Sequence, residues 1–276
     1  RVLFLFPLLI ATFTTCKGQI YKYLGIEDGL SNRRIFRIQK GGHGYMWFLT
    51  QEGIDRYDES KIKHYAVFDG SMEVAPQINL NWLYTDSRHR LWVVGRKGRI
   101  FRYDTARDRF VMTYKLNGLQ DDVTSGTVNC TYMDSNDRIW LCHGDSIIRY
   151  DTRAGTTDRI DSPASNDITA ITQTDSTNFF IGTSNGLLQT IEKEGVLETV
   201  VGTYTDSICI PVSELYFHQD SKKLFIGTFK EGIIAYGMNT TSTIIADGPL
   251  QNVAIKRITP FGKRQLLVAT GGRGVY

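Results

Sequence analysis

The sequence has little net charge, few cysteines and few prolines. Its 276 residues include 32 basic and 29 acidic side chains, four cysteines and six prolines. Two basic residues, Arg1 and Lys17, lie in a leading segment that we expect to be removed, which leaves 30 basic against 29 acidic residues. A chain so evenly balanced has no electrostatic footprint for nucleic acid or for an anionic membrane surface. We therefore expect no contact with nucleic acid.

Signatures of catalysis and of cofactor binding are also scarce. The sequence contains no H-E-x-x-H, P-loop or C-x-x-C motif, so the metalloprotease, nucleotide-binding and thiol-redox chemistry of those motifs is not indicated. The five histidines show no ligand-like spacing; they are His43, His64, His89, His143 and His218. We expect no catalytic residue, no metal site and no cofactor in this chain.

Long hydrophobic runs are missing apart from one near the start. Residues 2–11 form an apolar run, which fits a secretory signal and is too short for a bilayer span of about 20 residues. Cleavage near Gly18 would make residues 1–19 a signal peptide, and the chain would be exported. Two alternatives remain: a buried first strand, and acylation of Cys16, although Phe13 and Thr15 fit a lipoprotein signal poorly.

Helical periodicity is absent as well. No window keeps apolar residues at i, i+3, i+4 and i+7 over a helical length, which excludes a solenoid of helix pairs. What recurs instead is a β-rich unit whose second strand carries a large apolar anchor. These anchors follow one another at intervals of 40 to 48 residues; they are Trp47, Trp92, Trp140, Phe180, Phe225 and Leu267.

Each repeat surrounds its anchor with the same local signals. The inner strand before the anchor has apolar residues three positions apart, such as Ile35 and Ile38. A fourth, more polar strand follows the third, for example over residues 62–68. A glycine six or seven positions past the anchor marks the turn into the third strand in five of the six repeats, as Gly53, Gly98, Gly186, Gly232 and Gly274.

Four strands in about 45 residues is the period of a β-propeller blade, which buries both faces only by stacking on its neighbours. The sequence therefore predicts an all-β fold, a β-propeller of four-stranded antiparallel blades. Residues 20–24 align with a fourth strand that has no first three, as in a seven-bladed ring of which this chain holds about six blades. A closed six-bladed ring is the alternative. The repeats lie near residues 20–68, 69–116, 117–160, 161–201, 202–246 and 247–276.

The repeats resemble the two-component regulator propeller repeat. The first repeat carries the motif as Gly29-Leu30-Ser31-Asn32, Met46-Trp47-Phe48 and Arg56-Tyr57-Asp58. The second repeat carries it as Asp86, Leu91-Trp92-Val93-Val94-Gly95 and Arg102-Tyr103-Asp104. The resemblance is specific in the first three repeats, looser in the later ones, and covers roughly residues 20–276.

This resemblance implies a function for the chain. In the hybrid two-component regulators of Bacteroidetes-type bacteria, such propellers form the periplasmic sensor region. A membrane span, a histidine kinase and often a DNA-binding regulator follow elsewhere in those proteins, which act as homodimers. The family senses oligosaccharides from glycans. By resemblance we expect a periplasmic, non-enzymatic sensor domain of an inner-membrane protein, with an oligosaccharide as its partner and membrane tethering supplied outside this chain.

Blade geometry predicts which loops meet a ligand. In a meander, the loop entering the first strand and the loop between the second and third strands open on one face of the disc. Long polar loops on a rigid scaffold are typical recognition sites. Trp82 is a candidate platform for a sugar ring, although packing between blades is the alternative, and the cations suit an acidic glycan or are solvated surface charges. This loop face comprises Arg34, Gln51, Asn79, Trp82, Arg96, Lys97, Asp145, Asn185, Lys230 and Arg273.

Two cysteines are predicted to be neighbours. Cys130 lies on the inner strand of the third repeat and Cys142 on its second strand, across a tight turn. The register decides whether they face each other. In an oxidising compartment they form a disulfide or, as the alternative, remain two buried thiols that act as small apolar residues.

Two functional hypotheses of different class follow. The first is the sensor propeller described above. The second is a free-standing exported propeller, either a lyase or hydrolase or a glycan-binding lipoprotein anchored at Cys16. The lack of a catalytic constellation and the repeat motifs favour the first. A further alternative is that the ligand binds elsewhere in the full protein and this ring is a spacer or a dimerisation surface.

Overall fold

The computed structural model of the chain describes most residues after the leading segment. The expected signal peptide and Cys16 lie outside the described residues. Among the residues described, no helix is long and apolar enough to cross a membrane. The described residues are 22–65, 67–68, 73–74, 80–116, 127–144, 146–164, 167–201, 208–237, 240–245, 248–262 and 265–276.

In each of the first three repeats, the four strands of the blade are antiparallel and follow one another in chain order. Blade 1 contains β1 (Ile35–Lys40), β2 (Met46–Thr50), β3 (Ile54–Tyr57) and β4 (Ile62–Tyr65). Blade 2 contains β7 (Leu80–Thr85), β8 (Leu91–Gly95), β9 (Arg99–Asp104) and β10 (Arg109–Lys115), joined by β5 (Val67–Phe68) and β6 (Glu73–Val74). Blade 3 contains β11 (Cys130–Met133), β12 (Arg138–His143), β13 (Ser146–Asp151) and β14 (Thr157–Asp161).

The later repeats continue the same pattern. Blade 4 contains β15 (Ile168–Gln173), β16 (Asn178–Thr183), β17 (Gly186–Lys193) and β18 (Val196–Thr199). Blade 5 contains β19 (Val212–His218), β20 (Lys223–Thr228), β21 (Ile233–Gly237) and β22 (Thr240–Ile245). Blade 6 contains β23 (Ile255–Phe261) and β24 (Gln265–Thr270). In the described part of the chain, short 3-10 turns lie at Ile26–Asp28, Gly42–Gly44 and Gly248–Leu250. The predicted propeller of four-stranded antiparallel blades is confirmed, with five such blades observed.

Two local strand predictions were wrong. Residues 62–68 were expected to form one fourth strand, but β4 ends at Tyr65, and β5 pairs in parallel with β10 of blade 2. Strands β5 and β6 thereby add to the outer edge of blade 2, whose sheet has six strands. Residues 22–24, the described part of the expected closing strand, belong to no strand.

Apolar side chains fill the junctions between blades. Among the described residues there are five hydrophobic clusters, and each joins two successive blades. The three tryptophan anchors are at most 2 % exposed within these clusters. Burial of this apolar surface, at about 25 cal/mol per Å², is the main stabilising term for such a ring.

Blades 4, 5 and 6 approach one another most closely where a glycine occupies the middle strand. A Cβ atom at Gly182 would lie 2.9 Å from Cβ of Val212, the first residue of the next inner strand. A Cβ atom at Gly227 would lie 2.7 Å from Cγ2 of Ile255, the equivalent residue of blade 6. Both contacts leave no room for any other side chain.

One flank of blade 1 has no neighbouring blade among the described residues. Ile35 and Ile38 are 36 % and 55 % exposed, whereas their counterparts Leu80 and Leu83 in blade 2 are 8 % and 4 % exposed. The counterparts are covered because blade 1 packs against them. The described residues therefore leave the ring uncovered at the flank of blade 1 that faces away from blade 2.

A buried aspartate locks the first turn of blades 2 and 3. In blade 3, Oδ1 of Asp134 accepts hydrogen bonds from the backbone N–H groups of Asn136 and Arg138, at 2.9 Å each. Its Oδ2 accepts from Nε of Arg138 at 2.6 Å and from Nε1 of Trp140 at 2.8 Å. The carboxylate thus holds the turn, the arginine and the anchor together.

Blade 2 repeats this arrangement with Asp86, Arg90 and Trp92. The two arginines then reach the next blade. Arg90 donates to the carbonyl oxygen of Thr152 at 3.1 Å, and Arg138 forms a bidentate pair with Glu192 at 2.8 and 3.1 Å. The aspartate therefore supports a polar tie between blades as well as a turn.

Replacing Asp134 by Ala should lower the free energy of unfolding by about 3 kcal/mol, because the indole N–H of Trp140 and the backbone N–H groups of the turn lose their buried acceptor, while Arg138 keeps its pair with Glu192. Urea unfolding followed by tryptophan fluorescence measures the loss. The matched control is Asp175→Ala in blade 4, where the exposed carboxylate bonds only its own turn and the loss should be about 1 kcal/mol. Equal losses in the two variants would contradict the proposed lock.

Replacing Gly182 by Ala should destabilise the fold by about 1–3 kcal/mol, because the new methyl group overlaps Val212. Adding Val212→Ala should restore part of the loss, since the smaller side chain makes room. A double-mutant cycle by thermal unfolding measures this coupling. Additive losses in the cycle would show that the two residues do not limit the approach of blades 4 and 5.

Candidate functional site

The inner strands of all six blades surround an axial channel with a volume of about 440 Å³. We define it by β1, β7, β11, β15, β19 and β23, each of which contributes residues to its wall. A cavity of this size is within the range of about 300–1,000 Å³ that is typical of small-molecule sites. The channel was not among the sites predicted from the sequence.

A β-bulge at the start of five of the six inner strands builds much of the channel wall. In β19, the pairing register with β20 shifts between Val212 and Glu214, so Ser213 is an extra residue, and such a bulge re-aims side chains. The bulged residues are Phe36, Asn81, Thr169, Ser213 and Lys256. Asn129, directly before β11, lines the channel together with these five residues.

Several of these residues also tie their blade to the next one. Oγ1 of Thr169 donates to the carbonyl oxygen of Val212 at 2.6 Å, and Oγ of Ser213 donates to that of Ile255 at 2.7 Å. Nδ2 of Asn129 donates to a carboxylate oxygen of Asp167 at 2.8 Å. Side-chain hydrogen bonds therefore link adjacent blades near the channel axis.

The residue that follows each bulge forms a second layer of the wall. Because the five bulges and Asn129 stand at equivalent positions in their repeats, the six following residues share one level of the channel. These residues are Arg37, Trp82, Cys130, Ala170, Glu214 and Arg257. Three of the six are charged, and Nη1 of Arg257 lies 3.1 Å from Oε1 of Glu214.

The channel continues into a polar mouth of about 500 Å³ on the side of the first turns. Oε1 of Gln173 accepts from the backbone of Ser135 at 2.8 Å, while its Nε2 is buried with no hydrogen-bond partner among the described residues. The hydroxyl of Tyr132 accepts from the backbone N–H of Gln173 at 3.1 Å, and burial raises the pKa of Tyr132 to about 12. Gln39 and Gln219 complete an amide-rich rim.

A wider groove lies between blades 1 and 2 on the same side of the disc, with a volume of about 1,050 Å³. We call it the blade 1–2 groove. Tyr45 and Tyr103 are partly exposed in its wall, and Trp47 forms its buried floor. Four arginines and two histidines lie around these rings; the groove is lined by His43, Arg56, Arg88, His89, Arg90 and Arg102.

Asp108 neutralises one part of the groove. Its carboxylate accepts hydrogen bonds from the hydroxyls of Tyr65 and Tyr103 and pairs with Arg56 and Lys63. Despite partial burial, these bonds, the one from Lys63 above all, hold the pKa of Asp108 well below its usual range. The carboxylate therefore stays ionised at neutral pH.

Two other arginines of the groove have no such partner. In the described part of the chain, no carboxylate lies within ion-pair distance of Arg88 or Arg102. By contrast, Arg90 is paired with Asp86 at 2.7 Å. Blade 1 has Gly41 at the position of the locking aspartate, and a Cβ atom there would lie 2.7 Å from Cδ1 of Trp47. The groove consequently has an excess of positive charge beside aromatic rings.

The structure places most of the described residues of the predicted loop face around the opposite rim. Arg34, Gln51, Arg96 and Lys230 are exposed, and Lys97 is partly buried. Asn185 and Arg273 are exposed, with backbone N–H groups bonded to Thr183 and Thr270. Asn79 and Asp145 lie outside the described residues.

Trp82 packs between blades, and its predicted role as a platform for a sugar ring stays a prediction. It is partly buried, it packs against the cluster between blades 2 and 3, and it also borders the axial channel. Its place directly after the bulge explains the double contact. A signal for the channel was present in the sequence, because apolar residues three apart on one strand require a bulge between them.

The described residues hold no group of three or more metal-ligating side chains. Residues 182–186 read Gly-Thr-Ser-Asn-Gly, which matches the G-x-S-x-G pattern of serine hydrolases. That pattern needs a strand-to-helix elbow, whereas Ser184 lies in the hairpin between β16 and β17. The local structure therefore does not present a nucleophile in the required way.

Cys130 and Cys142 are directly opposite each other in the pairing of β11 and β12, and the structure holds both as buried free thiols. A hydrogen bond with Cys130, together with burial, raises the pKa of the Cys142 thiol well above its ordinary value. Cys209 is in no disulfide and is exposed. The three thiols therefore differ in reactivity.

In a Cys16→Ser chain, a thiol reagent such as DTNB should label Cys209 at once and Cys130 and Cys142 only after unfolding, because thiolate character and access control reactivity. Absorbance during the reaction counts the labelled thiols. If unfolding without a reductant releases no further thiols, Cys130 and Cys142 form a disulfide instead.

Comparison with known proteins places this fold. No family profile and no curated protein matches the chain. The extracellular domain of the hybrid two-component system BT3049 from B. thetaiotaomicron is similar at 23 % identity and a TM-score of 0.69, over 92 % of this chain and 34 % of that one. The corresponding domain of BT4673 is similar at 18 % identity and a TM-score of 0.65, over 92 % and 32 %.

A third solved structure, YCF48 from Cyanidioschyzon merolae, is similar at 11 % identity and a TM-score of 0.63, over 84 % of this chain and 76 % of that one. The likeness at these identities is a likeness of fold, and one fold hosts several functions. The chain spans about a third of the two extracellular domains. It shares its propeller fold with extracellular domains of hybrid two-component systems, the family that its repeat motifs resemble.

Proposed function

We propose that this chain is a periplasmic propeller of a hybrid two-component sensor, and that it recognises an oligosaccharide derived from a glycan. The signal would pass to a histidine kinase and a transcription regulator elsewhere in the full-length protein, which would act as a homodimer tethered by its own membrane span. Support comes from the repeat motifs and from the shared fold with extracellular domains of two such systems.

The observation that carries the binding proposal is the blade 1–2 groove. An oligosaccharide needs aromatic surface for the C–H face of its rings and polar groups for its hydroxyls. Tyr45 and Tyr103 supply the first, and the arginines around them supply the second. The volume of about 1,050 Å³ has room for more than one sugar residue.

The charge of the groove favours an acidic glycan. Arg56 is balanced by Asp108 and Arg90 by Asp86, so these pairs contribute little net field. Arg88 and Arg102 are the unbalanced charges, and a planar guanidinium suits the carboxylate or sulfate group of an acidic sugar. A uronic-acid or sulfated oligosaccharide is therefore the ligand class that we propose.

The position of the groove offers a physical basis for signalling. It lies across the junction of two blades, where Arg56 of blade 1 donates to the hydroxyl of Tyr103 and to Asp108 of blade 2. A ligand that contacts both blades would favour one arrangement of this junction by its differential affinity. Such a bias is the element that a downstream kinase would read.

An Arg88→Gln/Arg102→Gln double variant should weaken binding of an acidic oligosaccharide by roughly tenfold or more, a loss of about 1.4 kcal/mol per factor of ten. Isothermal titration with uronate-containing, sulfated and neutral oligosaccharides measures it. The matched control is Arg34→Gln/Arg96→Gln, which removes two exposed cations from the opposite rim. This control should bind as the unmodified chain does.

The titrations have clear adverse outcomes. Loss of binding in the rim control alone would move the ligand to the loop face predicted from the sequence. If none of the oligosaccharides binds the unmodified chain, this propeller is not the ligand-binding part of its protein, and the spacer or dimerisation role takes its place.

A further inference from the structure

The axial channel carries more positive than negative charge. Its wall includes Arg37, Lys256 and Arg257 but only one carboxylate, that of Glu214. The whole chain, in contrast, is close to neutral. The excess is therefore local, and it comes from the register of the inner strands, which brings Arg37, Glu214 and Arg257 to one level of the channel.

Glu214 already has its partners. Its side chain is 16 % exposed, and its carboxylate pairs with Nη1 of Arg257 at 3.1 Å and accepts a hydrogen bond from the backbone of Ile258. Burial nevertheless raises the pKa of Glu214, against the opposing effect of the two arginines. A single carboxylate in this state balances one guanidinium and not two.

Arg37 is the charge that remains. Its Nη1 donates to the carbonyl oxygen of Phe36 at 2.8 Å. Across the residues that the structure describes, no carboxylate lies within 4 Å of it. Burial, followed by repulsion from Arg257, lowers the pKa of Arg37, yet a guanidinium remains protonated in proteins. A partly buried charge without a counter-ion is costly, so an anion at this position would be stabilised.

The neighbouring hydroxyl does not supply that anion. Tyr84 borders the channel, and its hydroxyl donates to the carbonyl oxygen of Thr131 at 2.8 Å. Burial raises the pKa of Tyr84 far above neutrality, so the phenol stays uncharged. The counter-charge for Arg37 has to come from outside the described wall.

The mouth of the channel is rich in amide side chains. Gln39, Gln173 and Gln219 line it, and Nε2 of Gln173 is buried without a hydrogen-bond partner among the described residues. The mouth and the channel share Gln39, Tyr84, Tyr132 and Met133 in their walls. A molecule that enters from the mouth would pass the amide-rich rim first and meet the guanidinium farther in.

We propose that the axial channel binds a small molecule through a carboxylate group that pairs with Arg37. The planar fork of a guanidinium matches a carboxylate in a bidentate pair, and the channel volume of about 440 Å³ suits one small organic acid or sugar acid. The hydroxyl groups of that molecule would bond to Gln39, which lines both the channel and its mouth. This site is separate from the blade 1–2 groove in position and in residues.

Thermal unfolding of the full chain with added sodium glucuronate tests the proposal, with sodium acetate, glucose and sodium chloride as parallel probes. Glucuronate should raise the melting temperature in a saturable way, whereas glucose and equal concentrations of chloride should not. A matching rise with acetate would identify a general carboxylate site. A rise with glucuronate alone would identify a sugar-acid site.

Two variants act in opposite directions. Arg37→Gln should raise the melting temperature without ligand, because it removes the uncompensated charge, and should weaken glucuronate binding by about tenfold or more. Glu214→Gln should lower the melting temperature without ligand, because Arg257 loses its partner, and should tighten glucuronate binding. Arg96→Gln, an exposed rim arginine outside the channel, is the matched control and should leave both quantities unchanged.

The proposal is overturned if neither carboxylate stabilises the unmodified chain, or if chloride does so equally well. It is also overturned if Arg37→Gln retains full affinity while Arg96→Gln loses it. These results are independent of the oligosaccharide titrations, since Arg88 and Arg102 do not line the channel. Failure of one proposal therefore leaves the other open to its own test.

Discussion

The close contact between the inner strand of one blade and the middle strand of the blade before it supports the rest of the structure. Val212 sits on the backbone of Gly182, and Ile255 sits on that of Gly227. Two apolar residues three positions apart must face the same neighbour, which a regular strand with a period of two does not allow. The bulge recorded at the start of five of the six inner strands resolves this conflict. The bulged residue and its successor also line the channel, so the same bulge serves both blade packing and the channel wall.

Blades 2 and 3 share one set of polar contacts around an aspartate. Blade 1 lacks this aspartate at the groove where a ligand is proposed. In blades 2 and 3 one aspartate holds the turn, an arginine and the tryptophan anchor. Blade 1 has Gly41 instead, and Arg56 is balanced from the neighbouring blade by Asp108. Two arginines of blade 2 that line the same groove, Arg88 and Arg102, have no acidic partner among the described residues. A variation in one repeat thus produces the groove, while the other repeats maintain the scaffold.

Prediction from the sequence succeeded where the signal is local. Tryptophan anchors, glycine turns and strand alternation identified the blades, because each is decided by neighbours within a few residues. Residues 62–68 misled the prediction, since an apolar pair at 67–68 reads as a continuation of β4 although it hydrogen-bonds to β10 of the next blade. The loop face stays a prediction; most of its described residues are exposed, and exposure on a rim does not by itself bring side chains together. The apolar residues three positions apart on each inner strand were visible in the sequence. That they accompany a bulge and a channel is evident only from the pairing register of the strands.

The sequence by itself determined the all-β class, the four-stranded unit and the number of repeats, because strand periodicity and turn chemistry act over short distances along the chain. Only the tertiary structure decided which side chains share a site. Arg37, Glu214 and Arg257 belong to the first, fifth and sixth blades, and their level in the channel follows from bulge register and from the order of blades around the axis. Tyr45 of blade 1 and Arg102 of blade 2 likewise line one groove only because their two blades are adjacent. The net charge of the channel and of the groove depends on residues far apart in the sequence, so a local sequence pattern does not reveal it.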